Sequence, residues 1–169
     1  YQPVDFKIGN YQIGTKEELK ELCDEAKKYD IAIIADVVVN HMTSEWNYIK
    51  PNMQKREYFN TNYGITNWED RQCITSMALC GLWDLKTSSK DVQNIVKNFL
   101  KECTDIGVTG FRYDCAKHIE LPEDKGFGSD FWPYITDNGA KFQLGEILKG
   151  GTACYDIYSK YLNVTAAEY

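Results

Sequence analysis

Ile31-Ala32-Ile33-Ile34-Ala35-Asp36-Val37-Val38-Val39 is a run of mostly β-branched residues. It has little alternation between apolar and polar positions. That pattern predicts a strand buried on both faces, as in a parallel sheet. Before it, residues 15–29 read as a helix. Thr15 can cap it, and Glu18 three residues later completes a capping box. Leu19, Leu22, Cys23, Ala26 and Tyr29 supply the apolar stripe at helical spacing. After it, residues 42–84 carry Trp, Tyr, Asn and Pro with no sustained period, an excursion long enough to be a functional insertion. A second helix is predicted over 88–105, with Val92, Ile95, Val96, Phe99 and Cys103 on one side. A short strand follows over 108–113, then a short helix over 129–138 broken by Pro133. A third strand over 141–147 and a helix over 152–162 complete the reading. This is the alternation of an α/β fold, a parallel sheet covered by helices. Periodicity does not separate a closed barrel from a doubly wound sheet, so the chemistry at the strand ends has to help.

Each strand ends in polar residues. The first ends in Asp36, Asn40 and His41, the second in Arg112, Tyr113 and Asp114 followed by Lys117 and His118, and the third in Gly145-Glu146. Carboxylates, an arginine and imidazoles delivered to one end by three strands describe a site on the C-terminal face of a barrel. Asp114 and Glu146 are the pair that suits two-carboxylate glycoside chemistry. A retaining glycosidase needs its carboxyls about 5–5.5 Å apart, and neighbouring strands lie about 4.8 Å apart. Arg112, two residues before Asp114, shares its face of the strand. Its fixed charge would keep the nucleophile ionised.

The bulk properties narrow the partners. The 169 residues can bury a sizeable core. A net charge of −6 argues against a nucleic-acid partner, and no apolar run is long enough to span a membrane. No strand is followed by a glycine-rich phosphate loop, which sets aside a nucleotide-binding domain. The six cysteines form no C-x-x-C, so zinc and thioredoxin-like readings have little support. Cys23 and Cys103 read as buried free thiols, while Cys73 and Cys80 stand where they could pair. The chain opens at Tyr1-Gln2-Pro3-Val4-Asp5-Phe6 and stops at Ala167-Glu168-Tyr169, which reads as an internal fragment. As half a barrel, such a fragment is expected to be inactive and poorly soluble by itself.

Three segments carry a resemblance. Asp36-Val37-Val38-Val39-Asn40-His41, Gly110-Phe111-Arg112-Tyr113-Asp114-Cys115-Ala116-Lys117-His118 and Gly145-Glu146-Ile147-Leu148 resemble, in order, the first three signature regions of the α-amylase family, glycoside hydrolase family 13. The opening Tyr-Gln-Pro and the closing Tyr161-Leu162-Asn163-Val164-Thr165-Ala166 are similar to bacillus-type α-amylases. The resemblance implies part of a TIM (β/α)8 barrel with an irregular insertion domain after the third barrel strand. Residues 1–41 would be barrel, 42–84 the insertion and 85–169 barrel again. It implies a retaining, endo-acting hydrolase of α-1,4-glucans, with Asp114 as nucleophile and Glu146 as general acid and base. Tyr1, Gln2, His41, Arg112, Lys117 and His118 would contact or orient substrate, and Asp36 would be structural. A Ca2+ would sit on the Asn40 side chain, the Thr75 carbonyl, Asp84 and the His118 carbonyl.

The expected partner is an α-glucan such as starch. The full-length protein would be a monomer, secreted because starch cannot enter a cell. Two positions depart from the family. Thr109 stands where an Asp is frequent, which puts a second calcium in doubt. Cys115 replaces the usual Ala after the nucleophile. The third catalytic aspartate of the family has no counterpart in these residues. An oligo-α-glucosidase, a transglycosylase or an inactive glucan-binding relative are the alternatives. The aromatics Trp46, Tyr48, Tyr58, Tyr63, Trp68 and Trp83 are read as core of the insertion before sugar platforms.

Overall fold

The computed structural model describes residues 1–165. Residues 166–169, which include Ala166 of the closing motif and the end of the second barrel portion, lie outside the described residues. Four strands form one sheet: β1 (Ile34–Val38), β2 (Gly110–Asp114), β3 (Phe142–Gly145) and β4 (Asn163–Val164). All pairings are parallel, and the spatial order β1-β2-β3-β4 is the chain order. A doubly wound sheet reverses its strand order at a switch point. This sheet has no reversal among the described residues, which is the succession of a (β/α)8 barrel.

The helices are α1 (Lys16–Lys27), α2 (Arg71–Ser76), α3 (Lys90–Asp105), α4 (Phe131–Ile135) and α5 (Tyr155–Tyr158). The capping box of α1 is complete: the Glu18 amide donates to Thr15 Oγ1 at 3.1 Å, and the Thr15 amide to Glu18 Oε2 at 2.7 Å. The amphipathic α3 buries Val92, Val96, Leu100 and Cys103. Among the described residues, no helix is long and apolar enough to cross a membrane.

Several elements differ from expectation. The run 31–39 is a strand only over Ile34–Val38, in which Val37 is buried. Among the described residues β1 pairs with β2 alone. The stripe on α1 is half used. Cys23 and Ala26 are buried, whereas Leu22 and Tyr29 are 53% and 69% exposed. Pro133 does not break a helix. It sits in the first turn of α4, where an amide would have no intrahelical partner. The last helix shrinks to one turn, and β4 follows it. All six cysteines are free, Cys73 and Cys80 included.

The insertion leaves and re-enters the barrel through a narrow stem. The Met42 amide donates to the Trp83 carbonyl and the Leu85 amide to the Asn40 carbonyl, both at 2.9 Å. Trp46, Phe59 and Trp83 pack ring against ring at 4.6–5.7 Å and form its apolar centre with Tyr58. Tyr48, Tyr63 and Trp68 are exposed, so the aromatics divide between core and surface.

Candidate active site

Parallel register brings the charged residues together. Asp36 is opposite Arg112 and Val38 opposite Asp114, while Tyr113 is opposite Gly145. Glu146, the next residue, continues beside β2 through its amide, which donates to the Tyr113 carbonyl at 3.0 Å. Asp114 and Glu146 therefore stand side by side at the same end of adjacent strands.

Arg112 lies at the centre of this arrangement. Its Nη1 is 2.7 Å from Asp36 Oδ1 and 3.0 Å from Asp114 Oδ1, and its Nη2 is 2.7 Å from Glu146 Oε1. Burial works against its charge, but the hydrogen bonds to Asp36 and Asp114 outweigh that and raise its pKa. One planar guanidinium thus holds three carboxylates in fixed relative positions. Asp36 also accepts from the Tyr1 hydroxyl at 2.8 Å, a bond that raises the Tyr1 pKa. The Tyr1 ring stays 73% exposed beside the site.

The backbone after Asp114 is in an unusual conformation. Cys115 has φ +50°, a left-handed conformation uncommon outside glycine, before the 3-10 turn Ala116–His118. In that conformation the Cys115 amide donates to Glu146 Oε2 at 3.1 Å. The two oxygens of Glu146 are thereby held by a side chain and a main chain of β2 and its following turn. Burial and then the Asp114 carboxylate push the Cys115 thiol pKa up, so the thiol stays protonated. The sequence offered no signal for the amide contact, because it depends on a backbone angle.

His41 is buried, and burial pushes its imidazole pKa down. Its Nδ1 is 3.1 Å from Asn40 Nδ2, and its Nε2 is 3.1 Å from the Tyr1 carbonyl. An amide nitrogen donates, so Nδ1 accepts and Nε2 carries the hydrogen. Gln2 Oε1 accepts from the Thr43 hydroxyl at 3.1 Å, a partner not foreseen from sequence. Lys117 reaches the Lys149 carbonyl at 3.3 Å, and burial lowers its pKa. His118 is buried. Its Nδ1 lies 3.0 Å from the Ile74 carbonyl, and its ring packs edge-on to Trp68 at 6.0 Å.

The residues expected to hold a cation fall into two contacts between the barrel and the insertion. Asp84 bridges to His41, beside Asn40, and His118 touches α2, the helix that carries Thr75. Asp84 is almost wholly buried. Its Oδ2 accepts from Asn60 at 2.9 Å, while its Oδ1 has no hydrogen-bond partner in the protein. Burial raises its pKa well above the ordinary range, against the Asn60 bond.

A cleft of about 290 Å³ adjoins Asp36 and is walled by Tyr1, Gln2 and Phe6. A larger hollow of about 520 Å³ lies at the other end of the strands, near Ile33 and Thr109. It holds none of the residues assigned above, so its size does not mark the site.

Residues 1–143 match the family model of the alpha amylase catalytic domain, a span that includes Asp114 and stops before Glu146. An alpha-amylase of Clostridium acetobutylicum is 35% identical over the whole chain, and one of Butyrivibrio fibrisolvens 34% over 99% of it. The chain spans only 24% and 20% of those relatives. An Anoxybacillus alpha-amylase structure superposes with a TM-score of 0.81 at 26% identity, covering 96% of this chain and 35% of that one. An alpha-amylase of Geobacillus thermoleovorans, complexed with acarbose, superposes at 0.78 and 26% identity, covering 94% of this chain and 35% of that one.

Proposed function

Because this chain belongs to the α-amylase catalytic-domain family, we propose that it acts in the retaining hydrolysis of internal α-1,4-glucosidic bonds in starch and related glucans. The observation that carries the reading is the shared grip of Arg112 on Asp114 and Glu146 at adjacent strand ends. In the first step Asp114 attacks the anomeric carbon and Glu146 gives its proton to the leaving oxygen. In the second, Glu146 takes a proton from water, which displaces Asp114 and frees the sugar. Arg112, 3.0 Å from Asp114, holds that carboxylate in line for the attack.

The exposed Tyr1 ring offers a face on which a pyranose can stack, as aromatic rings do with apolar surfaces. Gln2, His41, Lys117 and His118 are the further residues assigned here to glucan contact. The acarbose complex of the Geobacillus relative supports an α-glucoside ligand. A polymeric substrate places the reaction outside the cell, and a monomer suffices for it.

The residues present fit a calcium ion. A buried carboxylate with one unpartnered oxygen is what a hard cation compensates. The Asn40 side chain, the Thr75 carbonyl, Asp84 and the His118 carbonyl would hold it. When bound, it supplies positive charge that ties the insertion to the barrel.

The test is reducing-sugar release from soluble starch by the entire reading frame that encodes this chain, beside its Asp114→Asn variant. Release by the parent and none by a folded variant is the expected result. A folded parent that releases nothing overturns the reading.

A further inference from the structure

Arg71 opens α2 in the insertion, yet most of its bonds reach the barrel. Its Nη1 donates to the Lys117 carbonyl at 2.6 Å, and its Nη2 to the Ile119 carbonyl at 2.9 Å and the Tyr158 hydroxyl at 2.6 Å. It also pairs with Asp124 at 3.1 Å, with both side chains little exposed (14% and 11%). The Tyr158 hydroxyl reaches the same two carbonyls, at 3.1 Å and 2.5 Å. Asp124 in turn accepts from the Leu121 amide at 2.8 Å. One buried guanidinium therefore fastens both neighbours of His118 and draws in α5.

The fastened segment is the turn that follows Asp114. Lys117 and His118 lie in it, and His118 is bound from the other side by the Ile74 carbonyl of α2. Thr75 is the next residue of that helix, and its hydroxyl donates to the Arg71 carbonyl at 3.1 Å. The spacing between α2 and the turn is thus set by Arg71 at one end and Ile74 at the other. No disulfide shares that task, since every cysteine is free. A lysine has a single donor centre and cannot bridge two carbonyls and a carboxylate in one plane.

We propose that Arg71 is the positioning residue for the 117–119 segment, setting where Lys117 meets glucan and holding the Thr75 and His118 carbonyls at one spacing. Both parts rest on the reading above, and Ca2+ affinity and KM report on them separately.

The experiment uses the entire reading frame with Arg71→Met and Arg71→Lys, each checked for native far-UV circular dichroism. Calorimetry gives the Ca2+ dissociation constant, and soluble maltooligosaccharide gives KM and kcat. For Arg71→Met we expect Ca2+ binding weaker by about tenfold or more, as for other residues that orient metal ligands. KM should rise with a smaller change in kcat. Arg71→Lys should recover part of the charge effect and little of the KM effect. A variant that melts earlier but keeps both the Ca2+ affinity and the KM of the parent shows a purely structural Arg71 and overturns the proposal. If Arg71→Met does not fold, the Lys variant decides by the same two readouts. If the parent itself binds no Ca2+, the calcium reading fails, and an unchanged KM then overturns the positioning role as well.

Discussion

Arg112 stands 2.7 Å from Glu146, closer than its 3.0 Å contact with Asp114. The arginine expected to serve the proposed nucleophile thus also holds the proposed acid. In the mechanism proposed above both carboxyls react, so a single side chain fixes the relative position of the two. Arg112→Lys keeps a positive charge but cannot hold both carboxylates at once. We expect kcat/KM to fall by about 10²-fold through misplacement of the reacting groups, with kcat taking most of the loss. Steady-state kinetics on maltooligosaccharide measures it, and parent-like kcat would refute the shared grip.

Asp84 gives a prediction about metal removal. Its buried, partly unpartnered carboxylate burdens the fold unless a cation compensates it. Chelation should lower the melting temperature of the parent, and calcium at a hundredfold excess over its dissociation constant should return about 3 kcal/mol. Asp84→Asn should melt no lower than the chelated parent and gain nothing from calcium. Calorimetric scans with and without chelator show whether it does.

Gly110 begins β2 with its neighbour pressed close. A Cβ there would lie 2.3 Å from the Phe142 carbonyl oxygen and 2.9 Å from the Ile34 side chain. Backbone cannot yield as a flexible side chain does. Gly110→Ala should destabilise the fold by about 1–3 kcal/mol, the usual range for overpacking. A urea titration tests it, and an unchanged midpoint would mean that the strands separate without cost.

The cysteines should label in order of exposure. Cys80 is exposed, whereas Cys23 and Cys103 are buried. Burial pushes the Cys103 thiol up to about 12. At pH 8 only about one in 10⁴ Cys103 thiols is then a thiolate, the reactive form. Raising pH towards 12 increases that fraction, and unfolding restores an ordinary thiol. Iodoacetamide labelling read by mass spectrometry should therefore mark Cys80 first and spare Cys23 and Cys103 until denaturant is added.

Legibility in the sequence followed the range of the interaction. The α1 cap was readable because Thr15 and Glu18 satisfy each other within one turn. The juxtaposition of Asp114 and Glu146 was readable because parallel strands in register end side by side. The exact start of β1 was not, since Ile31-Ala32-Ile33 has the same apolar character as the residues that pair. Helix α2 was missed altogether. Arg-Gln-Cys-Ile-Thr-Ser shows no apolar period, and the helix is held by the Asp70 cap and by Arg71 reaching residues more than forty positions away. The two residues of β4 were too few to signal a strand beside Tyr161.

The stem at Asn40, Met42, Trp83 and Leu85 closes the insertion with two main-chain bonds. Once such a neck is closed, the entropy of the enclosed loop grows only with the logarithm of its length, about 0.6 kcal/mol per doubling. The insertion can therefore lengthen, shorten or change its surface while the strands that carry the carboxylates keep their register. Sequence change in that loop, away from Arg71 and Ile74, can thus accumulate in one part of the chain while the strand ends at Asp114 and Glu146 stay as they are.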